Sequence, residues 1–251
     1  MWKKKFKFVQ YMIIILLFNS KNMFSQYKIR PKLDIVIFNK PIIYPQAMAL
    51  MEKKVMSIIG NQCHQALWFL EHYPVYTGGR IANCEDISQE TRLSYYRTAR
   101  GGQVTFHGPG QIVIYAMLNL KSIFFDGINI RMYIKMLYQW ISLVLRDFNF
   151  NVVSDKNIGV WIMDNEVQSK IASIGLKIKH SVSYHGIALN ASTDLRYFYS
   201  IVPCGLKNLY ITSIKKQKKT CVINFHNIVH LLMKKFCYIF NYELSAYYYI
   251  G

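Results

Sequence analysis

The segment Arg100-Gly101-Gly102-Gln103-Val104-Thr105-Phe106-His107-Gly108-Pro109-Gly110-Gln111 sets four glycines among arginine, glutamine, threonine and histidine side chains. Glycines flanking a short β-prone run let backbone N–H groups approach a ligand closely, and the polar side chains add donors along the same wall. Two tight turns around an ordinary strand would account for the glycines but not for the density of donors. The glycine spacing matches neither G-x-x-x-x-G-K-[ST] nor G-x-G-x-x-G, so a nucleotide-phosphate loop is not supported. His226 and His230 stand four residues apart and could share a metal. No third ligand or adjacent glutamate accompanies them, so surface histidines are the simpler reading, and neither a metal nor a cofactor is expected. The cysteines Cys63, Cys84, Cys204, Cys221 and Cys237 form an odd set without a C-x-x-C pair. That argues against a disulfide framework and a structural zinc, and for a reducing compartment. Taken alone, Cys204 in Pro203-Cys204-Gly205 reads as a small buried hydrophobe, and Lys170 as a strand-edge lysine.

The elements that must position these residues follow from periodicity. Leu33–Phe38 is strand-like, with Pro41 and Pro45 as breakers behind it. Apolar residues at Met48, Met51, Val55 and Ile58–Ile59, closed by Gly60, predict a helix over Gln46–Ile59. Ala66–Leu70 and Val75-Tyr76 are strand-like, and Leu93–Leu120 is dense in β-formers. Ile130, Ile134, Leu137, Ile141, Val144 and Phe148 predict a second helix. Ile158–Met163 and Lys170–Lys179 flank Asp164-Asn165-Glu166 as a hairpin, with Val182–Asn190 a further strand. A last helix fits Ile223–Phe240. There is no internal repeat and no low-complexity linker. The pattern predicts one α+β (mixed α/β) domain over 25–251, a mixed sheet with flanking helices, behind an extension of residues 1–24.

The block Arg100–Gln111, followed by Tyr115 and Leu118-Asn119-Leu120, resembles the signature of the lipoyl-protein octanoyltransferases. Further blocks agree: Lys170-Ile171-Ala172-Ser173-Ile174-Gly175, Tyr184-His185-Gly186-Ile187-Ala188-Leu189-Asn190, and Val202-Pro203-Cys204-Gly205. Leu70-Glu71-His72, Pro74–Thr77 and Gly79-Arg80 fit as well, so the likeness runs from about Leu33 to about Lys216. It departs at Gly78, where the family often has a larger residue, and in the N-terminal extension. The resemblance implies the fold shared by biotin and lipoate protein ligases, with Cys204 as acyl-carrying nucleophile and Lys170 as its partner. It implies substrate walls at Arg100–His107, at Ser173, Ile174 and Gly175, and at Gly186, Ile187 and Ala188. His107 and His185 are candidates to bind substrate or shape an oxyanion site. The implied reaction moves an octanoyl group from octanoyl-acyl carrier protein to a lysine of lipoyl domains, on 2-oxoacid dehydrogenase and glycine-cleavage proteins.

Chemistry agrees with that implication. An acyl thioester is already activated and needs no ATP; exchange onto a cysteine and then onto an amine suffices. A free thiol with pKa near ~8.5 is about 3% thiolate at neutral pH. A neighbouring ammonium that lowered the pKa by ~2 units would raise that fraction roughly 25-fold. A Brønsted slope of ~0.45 returns about 8-fold, leaving a net gain of about 3-fold. Lys170 must therefore also move protons, onto the departing thiolate and off the incoming amine. A ligase on the same fold is the nearest rival, but it needs a nucleotide-phosphate site and no cysteine.

The chain has 251 residues, 52% of them hydrophobic and 18% charged, enough to bury a core. Its formal charge of +18 has two readings: a bias toward lysine throughout the composition, or affinity for an acidic protein. A nucleic-acid-binding module is the rival from another class, but the basic residues are scattered and no zinc-finger, RRM or KH pattern appears, so no nucleic-acid partner is expected. Within the extension, Trp2–Lys7 is basic and Tyr11–Phe18 is apolar, but eight apolar residues are too few to span a bilayer, which takes ~20. A targeting peptide, a membrane-surface anchor and an upstream stretch before a start at Met23 all fit. The expectations are a cytoplasmic monomer without stable membrane insertion, with targeting to an organelle as the alternative.

Overall fold

The computed structural model describes residues 30–124, 126–155, 157–203, 209–220 and 222–251, with Cys84 described by its backbone alone. The extension 1–24 lies outside the described residues.

Lys32–Phe38 forms β1, which lies between β2 (Gln65–Leu70) and the last strand β11 (Glu243–Ile250), parallel to both. Its near-continuous apolar run suits a strand covered on both faces. Leu33, Ile35 and Ile37 enter one core, and Val36 and Phe38 the other. Between β1 and β2 runs α1, Tyr44–Ile59. Pro45, expected as a breaker, sits in the first helical turn, where its missing N–H costs nothing. Gly60 caps the helix with its N–H on Met56 O at 3.0 Å. The left-handed residue that turns the chain away is Asn61, at φ 55°.

The small strands β3 (Val75–Gly78), β4 (Tyr95–Arg97) and β5 (Val104–His107) form a separate sheet in the order β4-β3-β5. The chain then enters the main sheet as β6 (Gln111–Asn119) and crosses to α2 (Ile130–Asp147), whose first turn is capped by Asn129. Next come β7 (Val152–Val153), β8 (Val160–Asp164), β9 (Val167–Lys179) and β10 (Val182–Asn190). The expected hairpin is present, and β9–β10 forms another. Asn165-Glu166 and His180-Ser181 are two-residue turns with both φ positive, which matches strand twist. Short α3 (Ile214–Gln217) and long α4 (Phe225–Phe240) precede β11, a strand the sequence pattern did not reveal.

The main sheet runs β11-β1-β2-β6-β10-β9-β8-β7. Alternation along β6 divides its two faces. Ile112, Ile114, Ala116 and Leu118 face α2 and α4, where Trp140 donates Nε1–H to Leu232 O at 2.8 Å. Val113, Tyr115 and Met117 face α1. One feature of pairing opens a site. β8 pairs with β9 only as far as Val160↔Ala172, so beyond Ala172 that edge of β9 is free of a strand partner.

Candidate active site

The glycine-rich loop fills that free edge. Gly101 N–H donates to Leu176 O of β9 at 2.8 Å. Arg100 builds the loop rather than reaching out of it: its guanidinium donates to Thr77 O (2.8 Å), Thr77 Oγ1 (2.9 Å), Gln103 O (2.9 Å) and Gly101 O (3.0 Å). A Cβ on Gly79 would lie 2.1 Å from Gly102 O, which is why the small sheet and the loop can close together. Gly175 and Gly186 face each other across β9 and β10, and a Cβ on Gly175 would come within 3.2 Å of Gly101 O. At Gly78, the Tyr95 hydroxyl occupies the space at 2.1 Å from where a Cβ would be.

Behind the loop stands a buried cluster of neutral histidines. His72 donates Nδ1–H to Ile42 O at 2.9 Å, so its Nε2 accepts from the Tyr115 hydroxyl at 2.7 Å. Burial depresses its pKa to about 4. Gln111 spends its amide N–H groups on Phe106 O and Asn190 Oδ1, so its oxygen must accept from His107 Nδ1–H, at 2.7 Å. His107 stacks on Tyr44 at 6.1 Å and 7°, and burial, with His72 and Arg100 nearby, holds it far below the ordinary histidine range. With its Nδ1–H fixed on Gln111, its Nε2 carries the ring's lone pair. Asn190 passes the network on to Thr212 O at 3.0 Å. His185 sits in the left-handed region at φ 58°, a rare strain for a histidine inside a strand, and burial together with Arg100 and Lys177 lowers its pKa to about 3.

Lys170 is buried to 3% exposure, its Nζ 5.1 Å from the centre of the Trp161 ring. Gly159, at φ 144°, makes room for it: a Cβ there would lie 2.2 Å from Lys170 Cε. Its backbone pairs with the segment that follows the cysteine block, through Lys170 N–H to Tyr210 O (2.8 Å) and Thr212 N–H to Lys170 O (3.0 Å). The segment entering that block is anchored by Val202 N–H on Asp86 O at 2.8 Å. Cys204 itself lies outside the described residues.

The glycine-rich loop, His107, His185 and Lys170 border one cavity of about 830 Å³. Of the residues singled out from sequence, Arg100 to Thr105, His107, Lys170, Ser173 to Gly175 and His185 to Ala188 line it. Phe106 does not: it points the other way, stacked on Tyr197 at 4.6 Å in the core of the small sheet. Alternation along β5 explains the split between Phe106 and its neighbours Thr105 and His107. Sequence reasoning missed further lining residues, among them Tyr44, Ile130, Ile134, Ile158 and Lys177. The pair Ile130 and Ile134, one turn apart at the start of α2, was a visible signal of an apolar wall. Tyr44 carried none. Among the described residues no group of three His, Cys, Asp or Glu could hold a metal ion, and no helix is long and apolar enough to cross a membrane. Cys63 and Cys237 are free thiols, half-buried.

The chain is similar to known proteins over most of its length. The model of the lipoyl protein ligase A/B catalytic domain matches residues 43–237. An octanoyltransferase of Wolbachia sp. subsp. Brugia malayi is 43% identical over 182 residues, 72% of this chain and 87% of the relative. One of Ehrlichia canis is 38% identical over 206 residues, 82% of this chain and 94% of the relative. In structure the chain is similar to the bipartite lipoate protein ligase of Thermoplasma acidophilum, with TM-score 0.65 at 12% identity, covering 89% of this chain and 88% of that one. A lipoate-protein ligase A bound with ATP gives TM-score 0.62 at 13% identity, covering 87% of this chain and 89% of the other. At such identities these two show the fold alone. The sequence matches, spanning most of both partners, carry the assignment: the chain belongs to the octanoyltransferase family, built on the lipoyl protein ligase A/B catalytic domain.

Proposed function

We propose that the chain performs octanoyl transfer in protein lipoylation through a thioester on Cys204, with octanoyl-acyl carrier protein as donor and a lipoyl-domain lysine as acceptor. The observation that carries this reading is the seat of Lys170. It is buried at the wall of the cavity and tied by its backbone to Tyr210 and Thr212, just past the cysteine block. In the first step the Cys204 thiolate attacks the thioester carbonyl, and the departing phosphopantetheine thiolate takes a proton from the Lys170 ammonium. In the second, the acceptor amine attacks the Cys204 thioester, and Lys170 takes up the proton that amide formation releases. The histidines are held neutral by burial, so they serve as hydrogen-bond partners rather than as acids.

No ATP enters either step, because thioester energy covers both. Incubation with octanoyl-acyl carrier protein and a lipoyl domain, without nucleotide, should give the octanoylated domain. Transfer that requires ATP and free octanoate would establish a ligase instead. Five cysteines, an odd number without a C-x-x-C spacing, support a reducing compartment and hence the cytoplasm; delivery to an organelle through residues 1–24 is the alternative.

A further inference from the structure

Among the described residues, four cations line the cavity, Arg80, Arg100, Lys170 and Lys177, and no aspartate or glutamate does. Arg100 is committed to backbone carbonyls of its own loop, and Lys170 stands at the reaction centre. Arg80 and Lys177 have neither duty. Arg80 is exposed and Lys177 half-exposed, and neither forms an ion pair with any described residue. They flank one short piece of backbone: Arg80 N–H donates to Arg100 O at 2.9 Å, and the next residue, Gly101, donates to Leu176 O, the neighbour of Lys177. Lys177 Nζ rests 5.2 Å from the centre of the Tyr184 ring, and Arg97 caps Arg80 O at 3.4 Å.

Such a mouth must be explained by its cargo. An octanoyl chain is neutral, and an acceptor lysine is itself a cation until it loses its proton. The anion that has to stand at the entrance is the phosphate of a phosphopantetheine arm. We propose that Arg80 and Lys177 form a phosphate subsite at the cavity mouth, which holds the 4′-phosphate of the arm while its thioester reaches inward. The proposal rests on the reading that the donor is a pantetheine thioester, carried either by a carrier protein or by coenzyme A. A guanidinium fork and an ammonium suit a phosphate, and a contact at this exposure is screened by salt.

The direct test compares octanoyl-4′-phosphopantetheine with octanoyl-pantetheine, two donors that differ only in the phosphate. The wild-type kcat/KM should favour the phosphorylated donor by about 10-fold at low salt, shrinking as salt rises. In the double variant Arg80→Ala, Lys177→Ala that ratio should fall to about 1, and Arg80→Lys should keep part of it. A wild-type ratio near 1, or a ratio the double variant leaves unchanged, overturns the subsite. The same variant assayed with octanoyl-carrier protein and octanoyl-coenzyme A separates the sources: a loss confined to one names that donor, a loss with both names the shared phosphate, and a loss with neither counts against the proposal. If neither small thioester is transferred and octanoyl-carrier protein is not a donor either, the octanoyl-transfer reading is what fails. Equilibrium binding of 4′-phosphopantetheine against pantetheine then still reads the subsite, and equal affinities overturn it. Both side chains lie at the surface, so an unchanged melting midpoint shows that the variants are folded.

Discussion

The proposed mechanism asks Lys170 to do more than polarise a thiol. Thiolate enrichment is worth only about 3-fold once lowered nucleophilicity is counted. General acid–base work at two steps is worth on the order of 10²-fold or more. Lys170→Ala should therefore lower kcat by at least that larger factor across the pH range. A loss of a few-fold that high pH restores would reduce Lys170 to a tuner of the thiol. The buried histidines make a separate prediction about stability. His72 and His185 take up a proton near 6.5 in the unfolded chain, but only at about 4 and about 3 in the fold. Between these values the unfolded chain holds more protons, so stability is full above about pH 6.5 and is lost as pH falls toward 4. Calorimetry should show the melting midpoint dropping through that window; a flat midpoint down to about pH 4.5 would mean the histidines are charged in the native state.

At the scale of elements, the sequence showed most of what builds the site. Helix periodicity located α1, α2 and α4 to within two residues at their starts, since each buries an apolar stripe against one face of a sheet. β11 escaped because an edge strand has only one neighbour and little to bury: Tyr247, Tyr248 and Tyr249 are all exposed, so no alternation marks it. Arg100 was legible as a site residue but not as a brace, because its acceptors at Thr77 and Gln103 meet only when the small sheet folds. Gly159 was not legible either: only the structure shows that its missing side chain is where Lys170 passes. Gly159→Ala should push Lys170 aside, since the new Cβ meets Cε at 2.2 Å and Ala172 O at 2.9 Å. A displacement near 1 Å at a reacting group costs on the order of 10²-fold, and the φ strain adds about 1–3 kcal/mol against folding. Normal kcat in a folded variant would show that Lys170 does not need its present seat.

For the whole molecule, two cores on opposite faces of one eight-stranded sheet hold the site at the free edge of β9. Residues 1–22 precede every block of the family likeness, and the matched catalytic domain begins at residue 43. A chain begun at Met23 should therefore keep its activity and melting midpoint, since every block of the likeness remains in it. Unfolding on truncation would show that Tyr11–Phe18 packs on the domain. The central claim is the covalent intermediate on Cys204, and intact mass spectrometry after incubation with octanoyl-acyl carrier protein tests it most directly. Without acceptor, the protein should gain one octanoyl group, peptide mapping should place it on Cys204, adding a lipoyl domain should remove it, and Cys204→Ser should neither gain it nor turn over. An octanoylated lipoyl domain formed by Cys204→Ser at the wild-type rate, or an octanoyl group found on Cys63 or Cys237 instead, would contradict transfer through Cys204.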